Sequence, residues 1–163
     1  MHTALERLPT GTYVLTCGHE GRRGGVLTRW VQQCSAEPPL LVVAVPRGRP
    51  IEPMIRDARA FAICMVPNGD RLATRRFGED ATHTEDPFLA LPLREGKTGS
   101  PIIESAIAWF DCQLVGHLSP DADSRLYLGE VVAGGLGTAA RNEKARATTR
   151  HGRPRSRAKA PSR

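Results

Sequence analysis

The sequence predicts a mainly β protein, a β-barrel of Greek-key character with a few short helices. Two apolar runs, Leu40–Val45 and Phe61–Val66, are rich in β-branched residues and are bounded by proline, glycine or charged residues. Such runs are typical of buried strands. A third apolar stretch, Ile102–Leu118, alternates between apolar and more polar residues over its second half, as a strand with one wetter face does. Short strands separated by frequent turn residues favour a barrel.

Two short helices are predicted beside these strands. Between the first two apolar runs, apolar residues recur at helical spacing, which indicates a helix near Pro50–Arg59 with one face on the sheet. Pro67–Asp70 reads as a turn. Asp70 is well placed to cap a second helix that runs to about Arg76.

The remaining segments are predicted as strands, turns and loops. The first strand covers Gly11–Cys17. The glycine-rich segment His19–Gly25 predicts a hairpin turn rather than a phosphate-binding loop, because neither G-x-G-x-x-G nor G-K-[ST] is present. We expect Thr28–Ser35, within the polar stretch Val26–Ser35, to form a loop and Glu79–Ser100 to be a long surface excursion with little packing of its own. Arg125–Val132 is the returning strand.

The 163 residues are most simply one domain, residues 1–138, followed by a basic tail, residues 139–163. From Ala139 onward nine residues are Lys or Arg and one is acidic, so the tail has a net charge of +8. Because the whole chain has a net charge of +6, the body has a net charge of −2. The tail has almost no large apolar side chain, so we expect it to be disordered and dispensable for folding. It has no aromatic residue to stack on a base, which argues against a dedicated nucleic-acid function.

Composition excludes several other classes of protein. No apolar run approaches the ~20 residues of a membrane helix. The N-terminus lacks the apolar core of a secretion signal, so a cytoplasmic location is expected. The four cysteines are far apart, which argues against a disulfide framework or a metal site. Cys17, Cys64 and Cys112 lie in or beside apolar strands and are expected to be buried reduced thiols. The sequence contains none of G-x-S-x-G, H-E-x-x-H or C-x-x-C, and such a lack of side-chain chemistry is typical of enzymes that rely on a cofactor.

Short pieces spread over residues 8–133 carry a resemblance when taken in order. They are Leu8-Pro9-Thr10-Gly11, Ser35-x-x-Pro38-Pro39 before an apolar strand, Ala60-Phe61-Ala62-Ile63, Arg76-Phe77-Gly78, Trp109-Phe110-Asp111-Cys112 and Leu126–Val131. This ordered set resembles the flavin reductase-like, FMN-binding split-barrel family. The resemblance implies a split barrel, a homodimer with FMN near the subunit interface, and NAD(P)H-dependent flavin reduction, often with reduced flavin passed to a monooxygenase.

The resemblance also implies where the cofactor lies. An FMN site needs hydrogen-bond donors for the isoalloxazine edge, an apolar wall for the ring, and positive charge for the phosphate. By resemblance, one segment contacts the flavin and a second lies beside its phosphate or ribityl chain. The residues of the first segment are Leu27, Thr28, Arg29, Trp30, Val31, Gln32, Gln33 and Ser35, and those of the second are Arg47, Arg49 and Ile51.

Some points stay open at the level of sequence. Trp30 is either a stacking surface for a ligand or a core anchor, whereas Trp109 is expected to be core. The catalytic residues are unknown, and the reductant is NADH or NADPH. The alternative functions are a noncatalytic flavin-binding or interaction protein with a degenerate site, and nucleic-acid association through the tail. Relative to the family, Ala122-Asp123-Ser124 replaces a common Gly-Asp-His, and a glycine run with the basic tail stands where a closing segment is expected.

Overall fold

The fold is organised around antiparallel β-strands joined by short helices. The computed structural model describes residues 2–81 and 86–140. The strands are β1 (Tyr13–His19), β2 (Arg22–Thr28), β3 (Val31–Ala36), β4 (Pro39–Pro46), β5 (Ala60–Met65), β6 (Leu93–Glu95), β7 (Pro101–Ile103), β8 (Ala108–Leu118) and β9 (Ser124–Leu136). The helices are α1 (His2–Leu5), α2 (Ile51–Ala58) and α3 (Arg71–Phe77).

Seven of the strands form one sheet that curls into a barrel. Their order is β2-β1-β5-β8-β9-β4-β3, and β6 pairs separately with β7. Strands distant in sequence therefore lie side by side, as the predicted Greek-key connectivity requires. The sheet curls so that its end strand β2 contacts β4, the neighbour of the other end strand β3. The described part of the chain has no β-ladder between β2 and β4. The predicted split barrel with short helices is confirmed.

Alternate residues of the central strands face two separate apolar cores. Leu15 of β1 and Phe61 of β5 belong to the barrel interior, which α2 covers with Ile55. Their chain neighbours Val14 and Ala62 belong to an outer core against α3. Successive side chains of a strand point to opposite faces, so β1 and β5 are buried on both. This explains why Phe61–Val66 is apolar without alternation.

Both predicted helices are present within a residue or two of the expected bounds. The side chain of Asp70 accepts hydrogen bonds from the backbone N–H groups of Leu72 at 2.9 Å and Ala73 at 3.0 Å. It therefore caps α3, as predicted. Helix α2 ends at Arg59, whose left-handed backbone (φ 50°) turns the chain directly into β5.

The expectation that Thr28–Ser35 forms a loop was wrong for most of its length. Strand β2 continues to Thr28 and β3 begins at Val31, so only Arg29 and Trp30 connect them. Strand β3 lies at an end of the sheet and pairs only with β4 among the described residues. Much of it is exposed, so it carries polar side chains and lacks the apolar pattern of a buried strand.

The expectation that Glu79–Ser100 packs little was also wrong, for the part of it that is described. Phe88 is 1% exposed, and its ring centroid lies 5.2 Å from that of Phe77. Leu93–Glu95 forms β6 and pairs with β7. The apolar residues that pack this segment against the barrel are few and irregularly spaced, so no periodic pattern predicted their burial.

The final strand is longer than predicted. Strand β9 extends past Val132, and Gly134 and Gly135 pair with Phe110 and Trp109 of β8. A Cβ at Gly135 would lie 3.0 Å from the Trp109 ring, so a glycine lets this ring lie against the strand. The glycine run is therefore part of the barrel rather than a replacement for it. The predicted tail falls almost entirely on residues 141–163, which lie outside the described residues.

Three of the four cysteines are buried in the strands, and none of the four forms a disulfide. Desolvation by burial raises the pKa of Cys17 to about 12, that of Cys64 to about 11 and that of Cys112 to about 12. These thiols stay protonated near neutral pH and behave as small apolar groups, as predicted. Cys34 on β3 is exposed.

Thiol titration tests this arrangement. We expect Ellman's reagent at pH 8 to modify Cys34 rapidly in the native protein and to reach Cys17, Cys64 and Cys112 only after denaturation, because the reagent needs an accessible thiolate. The variant Cys34→Ser should show almost no fast reaction. A second fast-reacting thiol in that variant would contradict the burial described above.

Candidate functional site

The corner between β2 and β3 is fixed by hydrogen bonds to β4. Thr28 is 4% exposed. Its hydroxyl donates to the carbonyl of Ala44 at 2.7 Å and accepts from the N–H of Trp30 at 3.4 Å. The N–H of Ala44 donates in turn to the carbonyl of Trp30 at 3.0 Å. The backbone of this corner, residues 28–31, is thus held firmly even though its side chains reach solvent.

Trp30 projects from the corner into solvent. Its exposed fraction is 57%, and Arg29 beside it is also exposed. An indole ring contributes little to the fold when more than half of it is in water, so Trp30 is not a core anchor. By contrast, Trp109 packs against the outer core, with the guanidinium of Arg94 3.9 Å from its ring centroid. Trp109 therefore has the packing role predicted for it.

The polar residues that follow the corner lie on the edge strand β3. Val31 packs on the interior core, whereas Gln32 and Gln33 are exposed. Their side-chain amides donate to the carbonyls of Gln33 at 3.2 Å and Ser35 at 3.1 Å. The pairing with β4 shifts register between Gln33 and Ser35. The amide and hydroxyl groups of Gln32, Gln33 and Ser35 thus follow Trp30 along the edge strand.

A cleft of about 510 Å³ lies between the start of β2, the first turns of α2 and the end of α3. Its walls combine positive charge with apolar surface, and a glycine pair contributes on the β2 side. The basic lining residues are Arg22, Arg23, Arg49 and Arg76, the acidic one is Asp86, the large apolar ones are Ile51, Met54 and Phe77, and the glycines include Gly24 and Gly25.

Gly25 allows one wall of the cleft to form. A Cβ at Gly25 would lie 2.7 Å from the ring of Phe77 and 3.2 Å from that of Phe88. Real Cβ atoms do not approach ring carbons as closely as the first of these distances, so any side chain here would push Phe77 and the end of α3 away from β2. The bare backbone at Gly25 therefore determines how close α3 approaches the barrel.

The arginines of the cleft differ in how their charge is neutralised. The Nε of Arg23 donates to the carboxylate of Asp86 at 3.1 Å, and this hydrogen bond is the main cause that lowers the pKa of Asp86. Arg49 and Arg76 instead donate to the backbone carbonyls of Glu79 at 3.4 Å and Pro87 at 3.1 Å. Neither has a carboxylate within 4.0 Å among the described residues. The charge of Arg76 nevertheless helps to lower the pKa of Asp86, so that carboxylate partly offsets it.

The structure separates the site residues predicted from sequence into groups. Arg49 and Ile51 line the cleft. The guanidinium of Arg47 instead donates to the carbonyl of Pro120 in the β8–β9 turn, and Leu27 packs against the outer core. The others, residues 28–33 and 35, form the corner and β3. Strand β2 connects the two regions, because Gly24 and Thr28 are four residues apart, or ~13 Å along a strand.

Sequence reasoning missed several residues of the cleft. Arg22 and Arg23 were assigned to a turn, and Arg76-Phe77 was noted in the resemblance without a role. The position of Arg76 and Phe77 at the end of a predicted helix was the available signal, since helix ends often contact ligands. The approach of α3 to β2 depends on contacts distant in sequence, which no local pattern reveals.

A family model described as flavin reductase like domain matches residues 5–153. The chain therefore belongs to this family, and the resemblance found in the sequence is confirmed. The match continues past residue 138, where the sequence predicts the end of the domain.

Named relatives agree with the family. A flavin reductase of Pseudomonas putida is 32% identical over 129 residues, which cover 78% of this chain and 73% of that protein. Diflavin flavoprotein A 1 of Synechocystis sp. is 26% identical over 119 residues, which cover 72% of this chain and 21% of that protein. This chain thus spans about a fifth of the length of the diflavin flavoproteins that it matches.

A solved structure extends the agreement to the fold. The NADH:FAD oxidoreductase of Streptomyces globisporus C-1027 superposes with a TM-score of 0.72 at 25% identity, covering 85% of this chain and 84% of that one. The class of protein predicted from the sequence, a flavoprotein of the flavin reductase type, is confirmed by the family and these relatives.

The residues present fit a flavin with a terminal phosphate. The cleft offers the guanidiniums of Arg49 and Arg76, neither of which has a carboxylate within 4.0 Å among the described residues, and guanidinium groups bind phosphate strongly. The corner offers an exposed indole ring with amide and hydroxyl groups beside it. This set of donors matches what a phosphate at one end and a flat heteroaromatic ring at the other require.

Proposed function

We propose that this chain binds FMN between the cleft and the corner and catalyses NAD(P)H-dependent flavin reduction. The observation that carries the proposal is a pair of arginines, Arg49 and Arg76, that form no ion pair within 4.0 Å in the described part of the chain and lie in a cleft that strand β2 joins to the exposed Trp30. One region suits the phosphate and the other suits the isoalloxazine ring. The family and the names of the relatives supply the class of reaction.

The phosphate end of the proposed site lies in the cleft. Arg49 reaches it from the turn before α2 and Arg76 reaches it from α3, so an anion between them would receive donors from two sides. Hydrogen bonds from charged donors are about twice as strong as those between neutral groups. Arg23 is already paired with Asp86 and contributes less net charge. Ile51 and Phe77 add apolar surface for the ribityl chain.

The ring end of the proposed site lies at the corner. The bonds of Thr28 and Ala44 hold the Trp30 backbone, so the indole face is presented without reorganising the barrel. Aromatic stacking of this kind is sequence-tolerant and contributes ~1–3 kcal/mol per ring in nucleic-acid complexes. The side chains of Gln32, Gln33 and Ser35 lie next along β3 and would donate to the polar edge of the ring.

Bound FMN would supply the redox chemistry by accepting a hydride at N5 from the nicotinamide of NADH or NADPH. The part of this chain is to bind, orient and partly desolvate the ring, because alignment of two reactants removes much of the barrier to a bimolecular step. The corner and β3 carry no carboxylate or imidazole between Thr28 and Ala36. The proposed role of the protein is therefore positioning rather than proton transfer.

Further features remain proposals. A homodimer and a monooxygenase that receives reduced flavin follow from the resemblance, whereas a cytoplasmic location and a domain boundary at residue 138 follow from the sequence composition. The free edge of β3 and the exposed Trp30 lie at the same corner, and a second copy would cover both. Among the described residues, no helix has the length and apolar character that a membrane crossing requires.

Two measurements on the purified full chain test the proposed function. FMN titration, followed by flavin absorbance and fluorescence, should show saturable binding. With FMN added, NADH or NADPH should be oxidised at a rate proportional to protein concentration, and comparing the two identifies the reductant. FMN binding without nucleotide oxidation would favour the noncatalytic flavin-binding alternative. Absence of binding would overturn the proposal.

Replacement of Arg49 by alanine tests the phosphate end. We expect Arg49→Ala to weaken FMN binding about tenfold, since a hydrogen bond to a charged group contributes roughly 1.5–3 kcal/mol. Binding of riboflavin, which lacks the phosphate, should change little. Arg75→Ala is the matched control, because Arg75 is exposed on α3 and does not line the cleft. Equal losses for both ligands in Arg49→Ala would remove Arg49 from a phosphate site.

Replacement of Trp30 tests the ring end. Because 57% of Trp30 is exposed, Trp30→Ala should melt close to the parent while it binds FMN roughly tenfold to a hundredfold more weakly. Trp109→Ala is the matched control and should lower the melting temperature, since it removes packing from the outer core. Unchanged FMN affinity in Trp30→Ala would exclude this residue from the site.

A further inference from the structure

Glu52 is a buried carboxylate in the first turn of α2. Only 4% of the residue is exposed, and glutamate is almost never so buried unless it is paired. One oxygen, Oε1, accepts from the backbone N–H of Gly48 at 2.9 Å. The other, Oε2, accepts from Arg125 at 2.5 Å and from the hydroxyl of Tyr127 at 3.3 Å. Both oxygens are therefore occupied by donors from the protein itself.

The Gly48 bond fixes the turn between β4 and α2. Gly48 adopts φ +78°, a backbone conformation that favours glycine. The N–H of Glu52 also donates to the carbonyl of Arg49 at 3.0 Å, and the N–H of Arg47 donates to the carbonyl of Asp123 at 2.9 Å. The turn that carries Arg49 into the cleft is thus held from α2 on one side and from the β8–β9 turn on the other.

The β9 side of the arrangement is rigid. Arg125 and Tyr127 are two residues apart on β9 and therefore face the same side of the sheet. Tyr127 is fully buried, and desolvation raises its pKa, so it remains an O–H donor near neutral pH. Glu52 consequently links β9 to the Gly48 backbone: its Oε2 bonds Arg125 and Tyr127, and its Oε1 bonds the N–H of Gly48.

We propose that Glu52 is a positioning residue that gives the site its preference for a phosphorylated flavin. It acts through the Gly48 N–H, which holds the turn so that Arg49 points into the cleft. This inference rests on the proposed function. A direct contact between Glu52 and the phosphate is excluded by charge, because two anions repel, and by the occupancy of both carboxylate oxygens.

A matched pair of double variants isolates the Gly48 contact. Both Glu52→Gln with Arg125→Met and Glu52→Met with Arg125→Met remove the buried ion pair, so neither leaves an unpaired charge in the interior. They differ in one respect. Glutamine keeps a carbonyl oxygen that can accept from the Gly48 N–H, whereas methionine of similar size has no such acceptor.

The readout is the ratio of the riboflavin Kd to the FMN Kd, measured with melting temperature on the full chain. We expect the glutamine double variant to keep the parental ratio. In the methionine double variant the ratio should fall about tenfold, because FMN binds more weakly while riboflavin affinity is unchanged. Equal ratios in the two variants would overturn the inference. A parallel fall in both affinities would also overturn it, because that is the behaviour of a purely structural residue.

The single variant Glu52→Gln provides a rescue test that does not depend on the methionine protein folding. With Arg125 retained, its guanidinium claims the one amide oxygen, so the Gly48 N–H faces an NH2 group and the FMN preference should fall. Adding Arg125→Met should restore the preference. Failure of that restoration would contradict the inference. A parent protein that binds FMN no better than riboflavin would instead overturn the proposed function, on which this inference depends.

Discussion

The hydrogen bond from the Thr28 hydroxyl to the carbonyl of Ala44 is the contact on which the rest of the structure depends. The sheet curls through seven strands, yet its closing pair, β2 and β4, forms no ladder in the described part of the chain. A buried side chain therefore provides a link that backbone pairing would otherwise make. The same hydroxyl accepts from the N–H of Trp30, so the side chain that links β2 to β4 also holds the backbone that presents the indole ring. Loss of this bond would weaken both together, although the backbone bond from the N–H of Ala44 to the carbonyl of Trp30 would still link the corner to β4.

The distribution of arginines shows how one residue type takes different roles according to its partners. Arg125 is largely buried and neutralised by Glu52, and Arg23 is half-exposed and neutralised by Asp86. Arg49 and Arg76 meet only backbone carbonyls in the described residues. A carbonyl orients a guanidinium without cancelling its charge. The local excess of positive charge thus lies in the cleft, although the body of the chain has a net charge of −2.

Sequence patterns predicted the elements whose own residues carry the information. Phe61–Val66 is apolar throughout because both faces are covered, and Asp70 marks the start of α3 because its carboxylate caps the helix. Strand β3 was not predicted because it lies on an exposed edge, where its side chains need not follow an apolar pattern. At the site, Arg49 was predicted whereas Arg76 and Phe77 were not, because the cleft forms only when α3 meets β2 across some fifty residues of sequence. Information of that range is not present in a local pattern.

The sharing of β1 and β5 between two cores has a consequence for cooperativity. Val14 and Ala62 pack in the outer core with α3. Their sequence neighbours Leu15 and Phe61 pack in the barrel interior. Neither core can be dissolved without exposing strands that the other core needs, so the two layers form one unfolding unit rather than a stable barrel with a detachable cover. We therefore expect the free energy needed to open the walls of the cleft to equal that of global unfolding. Amide protons of α3 and of the central strands would then exchange with solvent through the same global opening.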